Sequence, residues 1–399
     1  MSAGQGDARL NWSELGTAMS RRLRGIRLQG WNTDTVVLTS IVAILVATGL
    51  VMSFSASFVD AAESGDPFGV FRRQLVWATV GMVAFVLVGR LPHQLWRPVS
   101  WGLFAAALVG LVAVLLPGVG LDAYGSTRWL AIGPVVVQPS ELAKLGLLLW
   151  LADVLERKRP RDGSLQDTTH LLVPALPAYL LTAVLVMLEP DLGTTAILAL
   201  IVGFVLFAEG LPLRHFASLL AAGAVAGVGL AVAAPYRLQR LTGWLDPDAD
   251  PERSGWQLLQ SLYALGSGGW FGLGLGSSRG KWNFIPNPET DFIFAIIGEE
   301  LGLLGSLAVV TLFLALLIVG MRIARGAPDG FGRTVAFAVT GWIVAQALIN
   351  VGTVTGLLPV TGVTLPLVSV GGSSLVSTLV ALGILVAIAR SSATGQESA

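Results

Sequence analysis

The chain has 399 residues, of which 13% are charged, and its 25 Lys and Arg balance 25 Asp and Glu. Soluble proteins carry about 25% charged residues; half that share cannot coat two or three soluble domains, and 54% hydrophobic residues at a mean hydropathy of +0.73 send long apolar stretches to lipid. The composition excludes a soluble enzyme, a disordered scaffold and a nucleic-acid-binding protein with a global basic field, and the lack of Cys excludes disulfides, iron–sulfur clusters and thiolate metal sites.

Runs of about 20 apolar residues predict ten membrane-spanning helices, near 35–56, 74–90, 96–117, 139–155, 170–188, 192–209, 213–234, 292–321, 334–356 and 366–389, with the fourth the shortest. The expected fold class is an all-α polytopic membrane protein. Residues 1–34 form a polar tail ending in an Arg cluster (Arg21, Arg22, Arg24, Arg27), 35–390 the ten-helix domain, and 391–399 a second short tail. The first apolar run is too long for a signal-peptide core and is read as a retained span.

Lys and Arg favour the cytoplasmic face. With the N-terminus inside, sixteen of the 25 lie in cytoplasmic segments, from the tail cluster through Arg157, Lys158, Arg159 and Arg161 to Arg390. Eight lie on the other face (Arg72, Arg73, Arg128, Arg237, Arg240, Arg253, Arg279, Lys281), and Lys144 falls inside a span. Both termini are thus expected in the cytoplasm. Five of the eight outer cations sit in one long extracytoplasmic loop, 235–291, between the seventh and eighth spans. A loop of that length without structure of its own is uncommon and usually functional, and its Trp256, Trp270, Phe271, Trp282 and Phe284 suit the membrane interface. No internal repeat of the kind used by inverted-repeat transporters is evident.

Several motifs resolve to bland readings. Gly274 to Lys281 looks like a phosphate loop, but Leu275 stands where the first Gly of GxxxxGK is required. Asp246-Pro247-Asp248-Ala249-Asp250 resembles the opening of a calcium loop, yet Pro251 and Gln257 replace its Gly and Glu. His93, His170 and His215 lie far apart in connections and read as surface residues.

Ionisable groups inside the membrane are costly and need a reason. Glu141 and Lys144, at i and i+3 in the fourth span, share a helix face; they form either an ion pair that locks packing or the polar wall of a cavity. Gln138-Pro139-Ser140 before them reads as a helix start. Asp191 in Glu189-Pro190-Asp191 could cap the sixth helix. In the eighth span Asp291 and Glu299 lie about 80° apart around the helix, while Glu300 points to the opposite side. Asp291 is either a cap or a carboxylate at the water–lipid border, partly desolvated and suited to act as a general base.

Taken in order, these segments resemble the SEDS family of polytopic glycosyltransferases (the RodA/FtsW/SpoVE family). The matching stretches are Phe71-Arg72-Arg73-Gln74-Leu75, Arg128-Trp129-Leu130, Gln138-Pro139-Ser140-Glu141-Leu142-Ala143-Lys144, Glu189-Pro190-Asp191-Leu192-Gly193-Thr194, Thr290-Asp291-Phe292-Ile293-Phe294, Gly298-Glu299-Glu300-Leu301-Gly302, and Leu358 through Ser374. Thr364-Leu365-Pro366-Leu367 looks more like the divisome branch (FtsW) than the lateral-wall branch (RodA). The sequence departs from the family pattern at Glu189, Trp256, Glu289 and Val370, where Gln, Tyr, His and Tyr are the commoner residues.

The resemblance implies polymerisation of lipid II, the undecaprenyl-pyrophosphate disaccharide-pentapeptide, into peptidoglycan strands at the outer face of the bacterial plasma membrane, at the division septum. It assigns Asp291 as the base and implies that Arg72, Arg73, Gln74, Arg128, Trp129, Gln138, Ser140, Glu141, Lys144, Asp191, Glu299 and Ser373 line the substrate site. Pyrophosphate leaves without a protonating acid, so one carboxylate suffices, and single displacement inverts the anomeric carbon. No cofactor is firmly implied; a divalent cation, Mg2+ or Mn2+, at the pyrophosphate is the candidate. The implied partners are a class B penicillin-binding protein, since no SxxK/SxN/KTG set is present here, and other divisome membrane proteins, with no nucleic acid. A lateral-wall polymerase, a lipid II flippase and a non-catalytic divisome scaffold are the alternative readings.

Overall fold

The computed structural model describes residues 32–396 apart from 64, 124–125, 134, 160–167, 233–234, 252–254 and 283. The Arg cluster of the first tail, Arg161, Arg253 and the last three residues lie outside the described residues. All ten apolar runs fold as helices: α1 Thr33–Glu63, α2 Gly69–Arg90, α3 Trp96–Val114, α4 Pro139–Lys158, α5 Thr168–Leu188, α6 Leu192–Ala208, α7 Leu213–Val232, α10 Ile293–Arg325, α11 Gly330–Val354 and α12 Gly372–Gln396. Seven of them are long and apolar enough to cross a membrane by themselves, which makes the protein a polytopic membrane protein. Helix α6 is apolar but shorter, as is the Leu213–Gly229 stretch of α7. Helix α4 has 20 residues and carries six charged ones. It was expected to be the shortest span, a place that falls instead to α6 with 17 residues.

Burial sorts the bundle. Helices α4, α11 and α12 are apolar on most sides and form its centre, with Leu147, Leu148, Leu149, Phe331, Leu382 and Leu385 fully enclosed. Helix α2 turns Leu75, Val76, Val83 and Leu87 outward, as a lipid-facing helix must. Its inner face meets α12 through small residues: a Cβ on Gly383 would stand 2.8 Å from the Phe85 carbonyl, and one on Gly372 would strike the Trp77 indole. Close backbone approach of this kind drives helix association in lipid.

Three expectations need correction. The fold is not purely α-helical: an antiparallel sheet, β1 Gly120–Ala123, β2 Ser126–Ile132 and β3 Val135–Val137, fills the connection between α3 and α4. The last span starts at Gly372 rather than 366, because Leu358 to Gly371 is an irregular segment with Gly362 (φ 71°) and Leu367 (φ 66°) in left-handed conformations. The long loop also has structure of its own: α8 Pro235–Leu245 and α9 Trp256–Gly268.

Helix α9 descends beside α10. Ser261 donates to the Val354 carbonyl (2.9 Å) near the end of α11, while Gly268 abuts the Gly298 carbonyl, within α10. Helix α10 is broken at Gly302 (φ 69°, ψ −167°), and the break frees backbone groups on both sides. The chain after α9 satisfies them: Leu273 and Gly274 donate to the Glu299 and Glu300 carbonyls, and Leu303 and Leu304 donate to Gly269 and Trp270. Irregular backbone within a membrane is tolerated only where protein supplies such partners.

Candidate functional site

One cavity of about 1430 Å³ opens at the end of the bundle where α2, α4, α6 and α10 begin. Its lining brings together Arg72, Arg73, Arg128, Trp129, Gln138, Glu141, Lys144, Asp191, Asp291 and Ser373, ten of the thirteen residues read from the sequence.

Each is held by local structure. Arg72 and Arg73 sit in the first turn of α2 and are exposed, Arg72 pairing with Asp66. Arg128 projects from β2, donating to the Glu189 (3.0 Å) and Pro190 (2.8 Å) carbonyls, with Asp191 at 3.7 Å. Asp191 caps α6, accepting from the Thr194 backbone N–H (2.9 Å) and hydroxyl (2.8 Å), so the capping expectation is met. The Gln138 N–H donates to the Ser373 hydroxyl (3.0 Å), tying the start of α4 to that of α12.

Glu141 and Lys144 form the cavity floor. Lys144 Nζ lies 2.8 Å from Glu141 Oε1, 3.5 Å from Gln346 Oε1 and 5.1 Å from the centre of the Trp342 ring. Ser377 donates to the second Glu141 oxygen (3.1 Å). Both readings of this pair therefore apply: it is an enclosed, hydrogen-bonded ion pair, and it walls the cavity.

Asp291 lies just before α10, partly exposed to the cavity. Its carboxylate accepts no hydrogen bond from a described residue, and α10 has no side-chain cap, so the capping alternative fails. One carboxylate oxygen rests over Gly362, 3.5 Å from where a Cβ would be. Burial pushes its pKa up to about 6, helped by the charges of Asp191 and Glu289 and opposed by Arg240 and Arg128.

Three expected residues do not reach the cavity. Gln74 is buried, accepting from the Gly371 N–H (3.2 Å) and donating to the Ser369 carbonyl (3.4 Å). Ser140 points into the packed side of α4 and makes no side-chain hydrogen bond among the described residues. Glu299 faces the Gly-rich segment instead, accepting from the Ser278 hydroxyl (2.5 Å) and from the Arg279 (2.8 Å) and Gly280 (3.2 Å) N–H groups. Glu300 does not point away from it. It accepts from Ser55 (2.7 Å) and the Ser278 N–H (3.2 Å), with Lys281 at 3.4 Å, because the segment wraps around the broken helix and meets both carboxylates.

His93 is also not a surface residue. It is enclosed at the opposite end of the bundle, between Asp329 and Ser391 at 3.1 Å each. The sequence reading missed Arg240 on α8 and Gln346 on α11, which line the cavity, and Asn350, one helical turn beyond Gln346. Gln346 and Asn350 carried a signal, as polar residues at i and i+4 in an apolar span. Arg240 had none beyond its charge.

The family model FTSW_RODA_SPOVE, described as "Cell cycle protein", matches residues 35–394. The chain belongs to this family. Among relatives, a probable peptidoglycan glycosyltransferase FtsW of Mycobacterium tuberculosis is 41% identical over 379 residues, covering 95% of this chain and 72% of the relative. Stage V sporulation protein E of Bacillus subtilis is 42% identical over 356 residues, covering 89% and 96%. Among solved structures, a chain of a peptidoglycan synthase complex, described by its structural coordination of polymerization and crosslinking, superposes with a TM-score of 0.72 at 32% identity, covering 89% of this chain and 97% of its own. The rod shape determining protein RodA of Thermus thermophilus superposes at 0.64 with 30% identity, covering 88% and 95%. The match to the FtsW/RodA/SpoVE family spans every helix that borders the cavity.

Proposed function

We propose that this peptidoglycan glycosyltransferase polymerises lipid II at the extracytoplasmic face of the membrane, with Asp291 as general base. The observation that carries the assignment is a partly buried carboxylate with no hydrogen-bond partner among the described residues, facing a cavity rimmed by Arg72, Arg73, Arg128 and Arg240. An acceptor sugar hydroxyl attacks the anomeric carbon of the donor, its proton passes to Asp291, and the bond to the lipid pyrophosphate breaks. The arginines hold the departing charge.

Ten spans with both termini in the cytoplasm are the topology this reading uses; it rests on the sixteen-to-eight distribution of Lys and Arg and places the cavity mouth outside. A septal role follows the names of the FtsW relatives, and a class B penicillin-binding protein is the partner proposed from the synthase complex. Among the described residues no group of three His, Asp or Glu is placed to hold a metal. A divalent cation, Mg2+ or Mn2+, carried by the pyrophosphate is the candidate that the gel below tests.

The test is a gel of glycan products made by the purified protein from lipid II, with and without Mg2+ or Mn2+. Wild type gives a ladder and Asp291→Asn gives none while remaining folded. A full ladder from Asp291→Asn removes the base from this mechanism.

A further inference from the structure

The three residues that end at the base, Glu289, Thr290 and Asp291, precede the regular part of α10, and helix geometry alone does not fix their peptide planes. Yet each of their carbonyls accepts one hydrogen bond from elsewhere in the chain. The Val370 N–H donates to Glu289 (2.9 Å), the Ser369 hydroxyl to Thr290 (2.6 Å), and the Asn350 amide to Asp291 (2.7 Å).

The donors are themselves anchored. Asn350 is 1% exposed, and its amide nitrogen also donates to the Val363 carbonyl (2.7 Å). The Ser369 hydroxyl accepts from the Leu365 N–H (2.8 Å), and the Ser369 carbonyl accepts from Gln74 on α2. The irregular segment that carries Ser369 also places Gly362 under the Asp291 carboxylate. So the backbone behind the base and the floor beneath it belong to one hydrogen-bonded unit joining α2, α11 and α12.

We infer that Ser369 and Asn350 are positioning residues for Asp291, fixing the peptide planes that aim its carboxylate into the cavity. This rests on the reading of Asp291 as the base. Neither residue lines the cavity; each meets the base through its backbone.

The experiment uses the full chain in proteoliposomes with lipid II, comparing Ser369→Ala, Asn350→Leu, the hydroxyl-retaining Ser369→Thr, and Asp291→Asn. Ser369→Ala and Asn350→Leu are expected to lose about 10- to 100-fold in kcat, with KM changed less than about twofold. The acid limb of their kcat–pH profiles moves to lower pH, because a loosened carboxylate gains water. The charges facing it, Arg240 on α8, Asp191 before α6, Arg128 on β2 and neighbouring Glu289, are unchanged. Ser369→Thr restores kcat and the acid limb. Should one variant fail to fold, the other removes a donor from a different element and decides; Ser369→Cys, close to serine in volume and a weaker donor, stands in if both fail. Wild-type kcat in these variants, or a kcat loss that tracks melting temperature with the acid limb unmoved, overturns the inference. Those outcomes with Asp291→Asn inactive sink the positioning role alone; an active Asp291→Asn sinks the base as well.

Discussion

At the residue scale two carboxyl groups carry opposite consequences of burial. Asp291 must be ionised to take a proton, and its pKa stands at about 6. Turnover is therefore expected to rise with pH through about 6 and level off above it, read from initial polymerisation rates in overlapping buffers. Glu189, fully enclosed between α5 and α6, is pushed to about 8 by burial and by Asp191, with Arg128 opposing. It is a neutral acid at pH 7, which explains how a carboxyl group stands where the family more often has the neutral amide Gln. A raised folded-state pKa means that ionisation favours the unfolded chain. The cost is absent below the unfolded value near 4.5 and grows until pH passes about 8. Glu189→Gln should leave activity near wild type and raise thermal stability at pH 8.5 by up to a few kcal/mol, with the gain shrinking towards pH 5. An equal gain in melting temperature over wild type at both pH values would mean that Glu189 is not the buried acid described.

At the element scale the broken helix α10 and the segment that mends it form one unit. A side chain at Gly302 would meet the Gly272 nitrogen at 2.3 Å in a left-handed conformation, so Gly302→Ala is expected to cost about 2–4 kcal/mol or more, measured by thermal unfolding in detergent. Lys281 and Glu300 are both enclosed. Lys281→Met strands the carboxylate and should destabilise by about 3–5 kcal/mol, whereas Lys281→Met with Glu300→Gln should recover much of the loss.

This element also shows where sequence reading succeeds and where it stops. By its spacing the stretch from Gly274 to Lys281 fails as a phosphate loop. It does cradle an anion with backbone N–H groups, but the anion is the chain's own Glu299. Spacing rules reveal that glycines can make a nest and not what will sit in it, because the occupant comes from a distant segment. All ten helices were legible because an apolar run near 20 residues has few alternatives in a membrane protein. The sheet between α3 and α4 was not, since its strands hold three to seven residues and lie in an extramembrane connection.

At the scale of the whole molecule, the cavity draws walls from four connections at one end of the bundle, those between α3 and α4, α5 and α6, α7 and α10, and α11 and α12, and its floor is the Glu141–Lys144 pair. Of the polar residues that line it, Glu141 and Lys144 were legible because charges in apolar helices demand an explanation; Arg72, Arg73, Arg128 and Asp191 came through the family resemblance, and Arg240 and Gln346 were missed. Gln74, Ser140 and Glu299 were misplaced because a motif fixes sequence neighbours and leaves the direction of each side chain to packing. Removing one partner of the floor pair should be more damaging than removing both. A double-mutant cycle of Glu141→Gln and Lys144→Met, read by melting temperature and polymerisation, is expected to show coupling of about 1–3 kcal/mol, while strict additivity would mean that the pair does not act as a unit.

The depth of that floor has an electrical consequence. Lys144 sits five residues into α4, about 8 Å along its axis, so aqueous ions can approach that far through the mouth. Below it the centre of the bundle is sealed by Leu147, Leu148 and Leu149. The resting voltage of the cell, worth about 2.3 kcal/mol per charge for each 100 mV, then falls across a thinner insulating layer here than in the surrounding bilayer. Those leucines stand where the field is strongest, so a glutamate at Leu148 would set a costly charge in the layer that bears most of the voltage.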